Sequence, residues 1–429
     1  MATGVVRGST ENGERAVKDS KGHPALGLGI VGLGGAAVNM LPAFRRSPCF
    51  DVVAAADIDP VVLGRFSQDH EGVATYASVE QLCADPKVTL VYIGTPTRLH
   101  SEQARIALEH GKHVLIEKPM AVTLEDADAM IATAERHRVL LGVNVKHSFE
   151  TRIQKLRAIA RSGELGRLRM IHSWRYVNWL YLPRTTEELT PGWGSGLLWR
   201  QGPHHFDMIR TIGGGVMRSV RGMAGTWDPA RRVPGAYTAF FEFEDGACGT
   251  AVNSAYDHFS SGALVYGFDG AAPLTDPTRY GRARRELKSK GADGAAWENS
   301  AAADERYGGG RRSVQSTKPK AQSGGWILNG PMVVSFDKGD VRFSPNGLIV
   351  DGDDKQWEIA LPAKPDGRDN RLESFYRAIA EGAPLAADGR WGKATQELLV
   401  AVERSAETRS EIQLSHQVAA VDMPLPAGL

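Results

Sequence analysis

Leu28-Gly29-Ile30-Val31-Gly32-Leu33-Gly34-Gly35-Ala36-Ala37 is the stretch on which the reading of this 429-residue chain turns. An apolar run ends in GxGxxA, and an amphipathic segment follows. Gly32 suits a tight turn, and Gly34 lets the backbone approach a pyrophosphate. Gly35 opens the helix whose free N–H groups attract an anion, and Ala37 permits close packing of that helix on the strand. Glycine turns are common, so the motif alone is weak. Its context is right, however, and Asp57 ends the apolar run Val52–Ala56, about 20 residues beyond the motif, where a ribose-binding carboxylate is expected. A carboxylate there accepts hydrogen bonds from both adenosine ribose hydroxyls and repels a 2′-phosphate. Ile58 follows where an arginine would suit NADP, so the pattern favours NAD as cofactor. Pro42 predicts a short first turn or a kink in the helix after the motif.

Outward from this turn, short apolar runs alternate with helix-like segments. The runs are Leu26–Val31, Val52–Ala56, Leu90–Ile93, Val114–Ile116 and Val139–Val143; the helical segments include Ser101–Glu109 and Leu124–Arg138, the latter announced by Thr123 and Asp126. That alternation predicts an α/β chain whose N-terminal part, residues 26–146, is a Rossmann domain with a parallel sheet and all strand carboxyl ends on one edge. Residues 1–25 read as a disordered tail. Past His147 a helix (Arg152–Arg161) leads into strand-rich segments, predicting an α+β domain over 147–410 with an open, largely antiparallel sheet. A helix is expected over His204–Ile212, and Arg371–Glu381 and Lys393–Glu407 are expected to pack back on the body. Residues 411–429 form a C-terminal tail. The Gly-, Ser-, Lys- and Arg-rich stretch 269–325 reads as an exposed, partly disordered insertion, with a lid or subunit contact as the alternative.

Composition narrows the function. With 51 basic against 50 acidic residues the net charge is +1, which offers no electrostatic case for nucleic acid or an acidic membrane. No run approaches the roughly 20 apolar residues of a membrane helix. Cys49, Cys83 and Cys248 are scattered, without metal-ligand spacing; they predict no metal site and fit a reducing cytoplasm.

The chemistry is expected on the Rossmann sheet's edge. Val114-Leu115-Ile116-Glu117-Lys118-Pro119 puts Glu117 and Lys118 at the carboxyl end of a buried strand, level with the glycine turn. Oxidising an alcohol removes a hydroxyl proton as hydride leaves the same carbon. A desolvated lysine beside a cationic nicotinamide is disfavoured as ammonium and can accept that proton. Taken alone, Lys118 reads more readily as an ordinary strand-end lysine. Trp174, Trp179, Tyr181, Trp193 and Trp199 gather in the segment leading to His204; they suit stacking on a ring-shaped substrate or packing in a core. Arg175 and Arg184 are anion-binding candidates, although exposure to solvent is the commoner fate of either.

Taken together, Gly32-Leu-Gly34, Ala56-Asp57-Ile58-Asp59, Gly94-Thr-Pro-Thr97 with His100, Glu117-Lys118-Pro119, Ser162-Gly-Glu-Leu-Gly166 and Gly202-Pro-His204-His-Phe-Asp207 resemble the glucose–fructose oxidoreductase/inositol dehydrogenase (Gfo/Idh/MocA) family. The resemblance implies a Rossmann domain plus an α/β domain whose exposed sheet face often joins subunits, hence a homo-oligomer (dimer or tetramer). It implies that Lys118 is catalytic, that His204 is a general acid/base, and that Thr95, Pro96 and His100 wall the nicotinamide ribose, with Glu117 and Lys118 also on the cofactor. Many members carry Asp four residues before that histidine; here Arg200 stands in its place. The carboxylate partner is then absent or supplied elsewhere, with Asp207 as the candidate, and Arg200 could bind an anionic substrate group. Asn178-Trp-Leu-Tyr-Leu-Pro-Arg184, Thr226-Trp-Asp-Pro229, Tyr280-Gly-Arg-Ala-Arg-Arg285 and His147-Ser-Phe149 are most similar to the phthalate 4,5-cis-dihydrodiol dehydrogenase branch. That likeness implies oxidation of a ring-borne cis-diol, carboxylated or not, with NAD. The expected substrate-binding set is His147, Trp174, Arg184, Trp199, Arg200, His205 and Asp207. The competing readings are a sugar or inositol dehydrogenase of the same family, an NAD-dependent glycoside-cleaving enzyme, and a non-catalytic NAD sensor.

Overall fold

A computed structural model describes residues 24–256, 258–259, 261, 281–310, 330–362 and 369–423. The expected tail at 1–25 therefore lies almost wholly outside the described residues, as do 269–280 and 311–325 of the expected insertion.

Six strands, β1 (Leu26–Val31), β2 (Phe50–Ala56), β3 (Ala74–Tyr76), β4 (Leu90–Ile93), β5 (His113–Glu117) and β6 (Leu141–Asn144), form one sheet in the order β3-β2-β1-β4-β5-β6. Every pairing in it is parallel. Helices cover both faces, so β4 is buried along its whole length and reads as a continuous apolar run rather than an alternating one. The helices are α1 (Gly35–Arg46), α2 (Pro60–Asp69), α3 (Val79–Ala84), α4 (His100–Glu109) and α5 (Leu124–His137). Local chemistry starts them where it should. Asp59 accepts hydrogen bonds from Val61 N and Val62 N ahead of α2, and Thr123 from Asp126 N ahead of α5. Pro42 does not end α1; the helix runs on to Arg46. The strand order reverses between β1 and β4, and that switch point is where doubly wound sheets bind ligands.

After α6 (Thr151–Ser162), β7 (Leu168–Tyr176), α7 (Thr186–Leu189) and α8 (Gly196–Gly213) comes a second, nine-stranded sheet. It contains β8 (Met217–Gly225), β9 (Ala236–Phe243), β10 (Cys248–Ser254), β11 (Met332–Phe336), β12 (Gly339–Phe343), β13 (Gly347–Gly352), β14 (Gln356–Ala360) and β15 (Ile412–Gln413) in addition to β7. The order is β14-β13-β12-β11-β7-β10-β9-β8-β15. Only β7 and β10 pair in parallel. One face packs on α8, which is buried on nearly all sides. The other is open: Met170, Met223 and Phe240 are 41%, 55% and 43% exposed there.

Three features depart from expectation. The stretch read as an exposed insertion holds two helices over its described part, α9 (Arg282–Lys290) and α10 (Gly294–Asp304). Glu298 of α10 is buried in an ion pair with Arg231 at 2.8 Å and accepts a hydrogen bond from Arg184 N. Arg284 of α9 lies over the Tyr181 ring at 3.9 Å. The chain then reaches the Rossmann domain, where Tyr307 N donates to Leu33 O and Tyr307 Oη to Asp69. Second, α11 (Asn370–Glu381) belongs to the Rossmann core: Leu372, Phe375 and Tyr376 pack with Leu28, Ile30, Phe44 and Tyr92. α12 (Gly389–Thr408) spans both halves, contributing Trp391 to the N-terminal core and Leu398, Leu399 and Val402 to the C-terminal one. Third, the C-terminal tail is bound through residue 423: β15 pairs with β8, and Val418, Ala420 and Met423 pack on the N-terminal core.

Candidate active site

The ends of β1, β4, β5 and β6 and the first turns of α8 converge. Gly32 has φ +83°, and a Cβ there would sit 2.6 Å from Thr95 Cγ2, so only glycine fits the crossing of these two strand ends. A Cβ on Gly34 would meet nothing within 4 Å; open space faces the turn. Gly34 is also the N-cap of α1, with no side-chain cap and no acidic residue in the first turn. Backbone N–H groups free at a helix N-terminus beside open space fit a dinucleotide's pyrophosphate. Asp57 lies alongside. Its Oδ2 accepts from Leu33 N at 2.7 Å and its Oδ1 from Asp59 N at 2.9 Å, so the carboxylate braces the glycine turn as well as standing where a ribose is expected. Ile58 is 93% exposed and makes no such contact. Glu305, near Gly35, and Arg306, 3.7 Å from Asp59, border the same turn from the insertion.

At the β5 end, the Glu117 carboxylate is already occupied. Oε1 accepts from Tyr92 Oη at 2.7 Å and from Asn144 Nδ2, while Oε2 accepts from Lys118 N. His100 is 1% exposed, with one ring nitrogen 3.0 Å from Pro119 O and the other 2.9 Å from Thr95 O. It ties the β4 and β5 ends together. Thr95 Oγ1 in turn donates to Gln103. Glu117, His100 and Thr95 thus hold the wall in shape through bonds within the protein.

Lys118 leaves this wall across a cis peptide to Pro119 and is buried against α8, where Nζ donates to Arg200 O at 3.0 Å. Burial first, then the Arg200 charge, pushes its ammonium down to about 8, against the opposing pull of Glu117 and Glu188. His147 and His204 stand edge to face with ring centroids 5.1 Å apart. Each keeps an Nδ1 buried without a partner among the described residues. Burial, with Lys146, Arg175 and Lys118 adding to it, lowers His147 to about 3. His204 also lies well below its ordinary value, from burial and then Lys118. Burial thus disfavours the protonated form of both rings, and Lys118 keeps the highest proton affinity of the three.

Arg200 is not a free cation. Its Nη1 donates to Thr97 Oγ1, and Nε is 3.6 Å from Glu188 Oε1. Arg184 shares that carboxylate at 3.2 Å and stacks on Trp179 at 4.8 Å. Burial opposes it, yet the two arginines hold Glu188 below the usual carboxylate range. Glu188 was not foreseen, although Thr185-x-x-Glu188 spells the capping box that α7 forms.

Four expected substrate contacts point elsewhere. Trp174 lies on the open side of β7 with His172, stacked at 6.1 Å, because Ser173 between them faces α8. Trp199 is 6% exposed and donates to Glu403 on α12 at 2.8 Å. His205 is fully buried between Tyr237 Oη and Ser173 Oγ, and burial lowers it to about 3. Asp207 accepts from Trp391 Nε1 at 2.7 Å; it is a core carboxylate and no hydrogen bond links it to His204. In their place the structure brings in Arg175 and Gln201, joined through Arg175 Nη1 and Gln201 Oε1. Alternation along β7 was the available signal: Ile171, Ser173 and Arg175 share the face under α8.

With this geometry in view, relatives can be compared. The Gfo/Idh/MocA oxidoreductase family's NAD-binding Rossmann profile matches residues 26–145, and the profile of that family's C-terminal domain matches 153–272. The 1-carboxy-3-chloro-3,4-dihydroxycyclohexa-1,5-diene dehydrogenase of Comamonas testosteroni is 35% identical over 87% of this chain and 93% of its own. The trans-1,2-dihydrobenzene-1,2-diol dehydrogenase of Bos taurus is 28% identical over 59% of this chain and 75% of its own. A solved chain from Bordetella bronchiseptica RB50 superposes with a TM-score of 0.80 at 33% identity, covering 91% of this chain and 100% of that one.

Proposed function

This chain belongs to the Gfo/Idh/MocA family of NAD-binding oxidoreductases, and from that membership we propose that it oxidises a carboxylated, ring-borne cis-diol by hydride transfer to NAD. The observation that carries the reading is the Lys118 amine. It is buried at the β5 edge level with the glycine turn, with its ammonium form pushed down to about 8. NAD, when bound, supplies the hydride acceptor. The α1 N-terminus and the Gly32–Gly34 turn would hold its pyrophosphate, and Asp57 its adenosine ribose, which favours NAD over NADP. Lys118 Nζ takes the substrate hydroxyl proton as the same carbon gives up hydride, so that the C–O single bond becomes a carbonyl. Tautomerisation of that ketone, a ring C–H proton being lost and the carbonyl oxygen gaining one, then yields a catechol. The neutral His147 and His204 rings orient the hydroxyl groups, and burial of the pair keeps water from competing. The carboxylated diene in the name of the C. testosteroni relative supports the substrate class.

Incubating the protein with a carboxylated cis-dihydrodiol and NAD should give stoichiometric absorbance of reduced nicotinamide and a catechol, faster than with NADP. Turnover of sugars but of no cyclic diol, or a preference for NADP, would overturn the corresponding part of this reading.

The open face of the second sheet suits a homo-oligomer. Met170, Met223 and Phe240, flanked by Trp174 and His172, make an apolar surface on β7, β8 and β9; contiguous exposed apolar area of this sort marks a contact surface. Light scattering should give a mass that is a multiple of the 46.4 kDa chain, and a monomer at micromolar concentration would refute the assembly. Three scattered cysteines, of which Cys49 and Cys83 are buried, support a cytoplasmic setting.

A further inference from the structure

Besides the exposed Lys146, four cations surround the candidate substrate space, and three of them are accounted for. Lys118 bonds to Arg200 O, and Arg200 and Arg184 share Glu188. Arg175 differs. It rises from the helix-facing side of β7, between Ser173, which holds His205, and the first turns of α8. Its hydrogen bond among the described residues is to a neutral amide, Gln201 Oε1, and no carboxylate of those residues pairs with it. Burial pulls even this guanidinium below its ordinary value. Its charge is felt at Lys118, His147 and His204 as well as at the core His205, so it lies close to the reacting groups. A desolvated guanidinium without an anion is unfavourable, and five rigid donors match a planar carboxylate.

We propose that Arg175, steadied by Gln201, is the seat of the substrate's carboxylate, and that Arg200, which already faces the Glu188 carboxylate at 3.6 Å, is not. The inference rests on the reading of this pocket as the substrate site. Gln201 and His204 are three residues apart on α8, on neighbouring positions of one helix face. One turn of α8 therefore presents the residue that holds Arg175 and the imidazole beside His147. A carboxylate on Arg175 then places the ring's hydroxyl-bearing side toward His147, His204 and Lys118. The chemical class selected is a planar or near-planar cyclic monocarboxylate with hydroxyls on the ring edge away from the acid.

The probe is benzoate, with benzamide as its uncharged isostere, titrated calorimetrically into the NAD-saturated protein. Wild type should bind benzoate at least about 30-fold more tightly than benzamide, as expected for a charge-assisted bidentate contact. Arg175→Gln should abolish that preference while changing benzamide affinity less than about threefold, and Arg175→Lys should recover part of it. Arg200→Gln should leave the preference in place. The proposal fails if wild type shows no preference for benzoate. It fails also if Arg175→Gln weakens both probes alike, as a purely structural arginine would, or if Arg200→Gln is the variant that erases the preference. Should Arg175→Gln not fold, Arg175→Lys and Gln201→Leu carry the test, and full retention of benzoate preference in both would overturn it. A wild type that discriminates through Arg175 yet reduces no NAD with any cyclic diol would sink the proposed reaction and leave this carboxylate seat standing.

Discussion

Lys118→Met should lower turnover by at least about 100-fold while NAD affinity stays within about threefold of wild type. The amine sits beyond the cofactor cradle, not in it: the glycine turn is built by Gly32, Gly34 and Asp57 from β1 and β2, and the β5 wall keeps its shape through Glu117, Tyr92, Asn144 and His100. Removing Nζ deletes one hydrogen bond, to Arg200 O, and the amine assigned the departing proton. Burial and neighbouring cations disfavour protonation of the two histidines, so neither is a ready substitute. A pH profile adds a check whose sign is set. The lysine is lowered to about 8 by burial and then by Arg200, and alcohol oxidation needs it unprotonated in the free enzyme. For wild type, kcat/KM for oxidation should therefore rise with pH to a plateau above about 8, and the reverse reduction should fall across the same range. Lys118→Arg stays protonated and should remain slow throughout. Turnover of Lys118→Met within tenfold of wild type, or an unchanged pH profile, would remove Lys118 from the chemistry.

The N-terminal half was open to reading because its signals are written in backbone constraints. Gly32 has to be glycine where the β1 turn crosses Thr95, and the apolar runs are continuous because helices cover both faces of the sheet. Lys118 stood out at a strand end, but its catalytic assignment rested on the family resemblance. The second domain hid more. Almost every residue of α8 is buried, so the sequence shows no polar face to say which side meets the cleft and which meets α12; Trp199, His205 and Asp207 therefore looked as available as His204. Residues 281–310 were misread for a different reason. Apart from Ala301, α10 buries Glu298, and it docks through the Glu298–Arg231 ion pair rather than an apolar stripe. Periodicity cannot reveal a helix anchored by one ion pair, because the partner lies 67 residues away and nothing local marks it.

Arg210→Ala should cost about 3–5 kcal/mol of stability, the range for breaking a buried, fully bonded charge network. Arg210 is 0% exposed and among the largest side chains sealed in the molecule. Its guanidinium donates to Thr395 Oγ1 at 2.8 Å, Gln417 Oε1 at 3.0 Å, Trp391 O at 3.1 Å, Gly215 O at 3.3 Å and Val418 O at 3.4 Å. It also lies 3.8 Å from the centre of the Trp391 ring. Burial lowers the group to about 9, and Asp207, Glu397 and Asp388 pull the other way. Truncation leaves three carbonyls without their donor, a void over Trp391, and the buried Asp207 carboxylate without its nearby cation. It also loosens the chain end: Gln417 and Val418 lose one anchor, while Glu397, Ala394 O, the Ala420 N–H to Gly214 O bond and the Asp422 ion pairs with Arg157 and Arg161 remain. Arg210→Lys keeps the charge and loses the forked donors, so it should fall between the two. Urea unfolding measures the loss, and limited proteolysis near 415–423 should become faster in the alanine variant. A loss below about 1 kcal/mol, or unchanged proteolysis, would mean that α8, α12 and the C-terminal segment are held together without this arginine. In that case the position of His204 on α8 would owe nothing to this arginine.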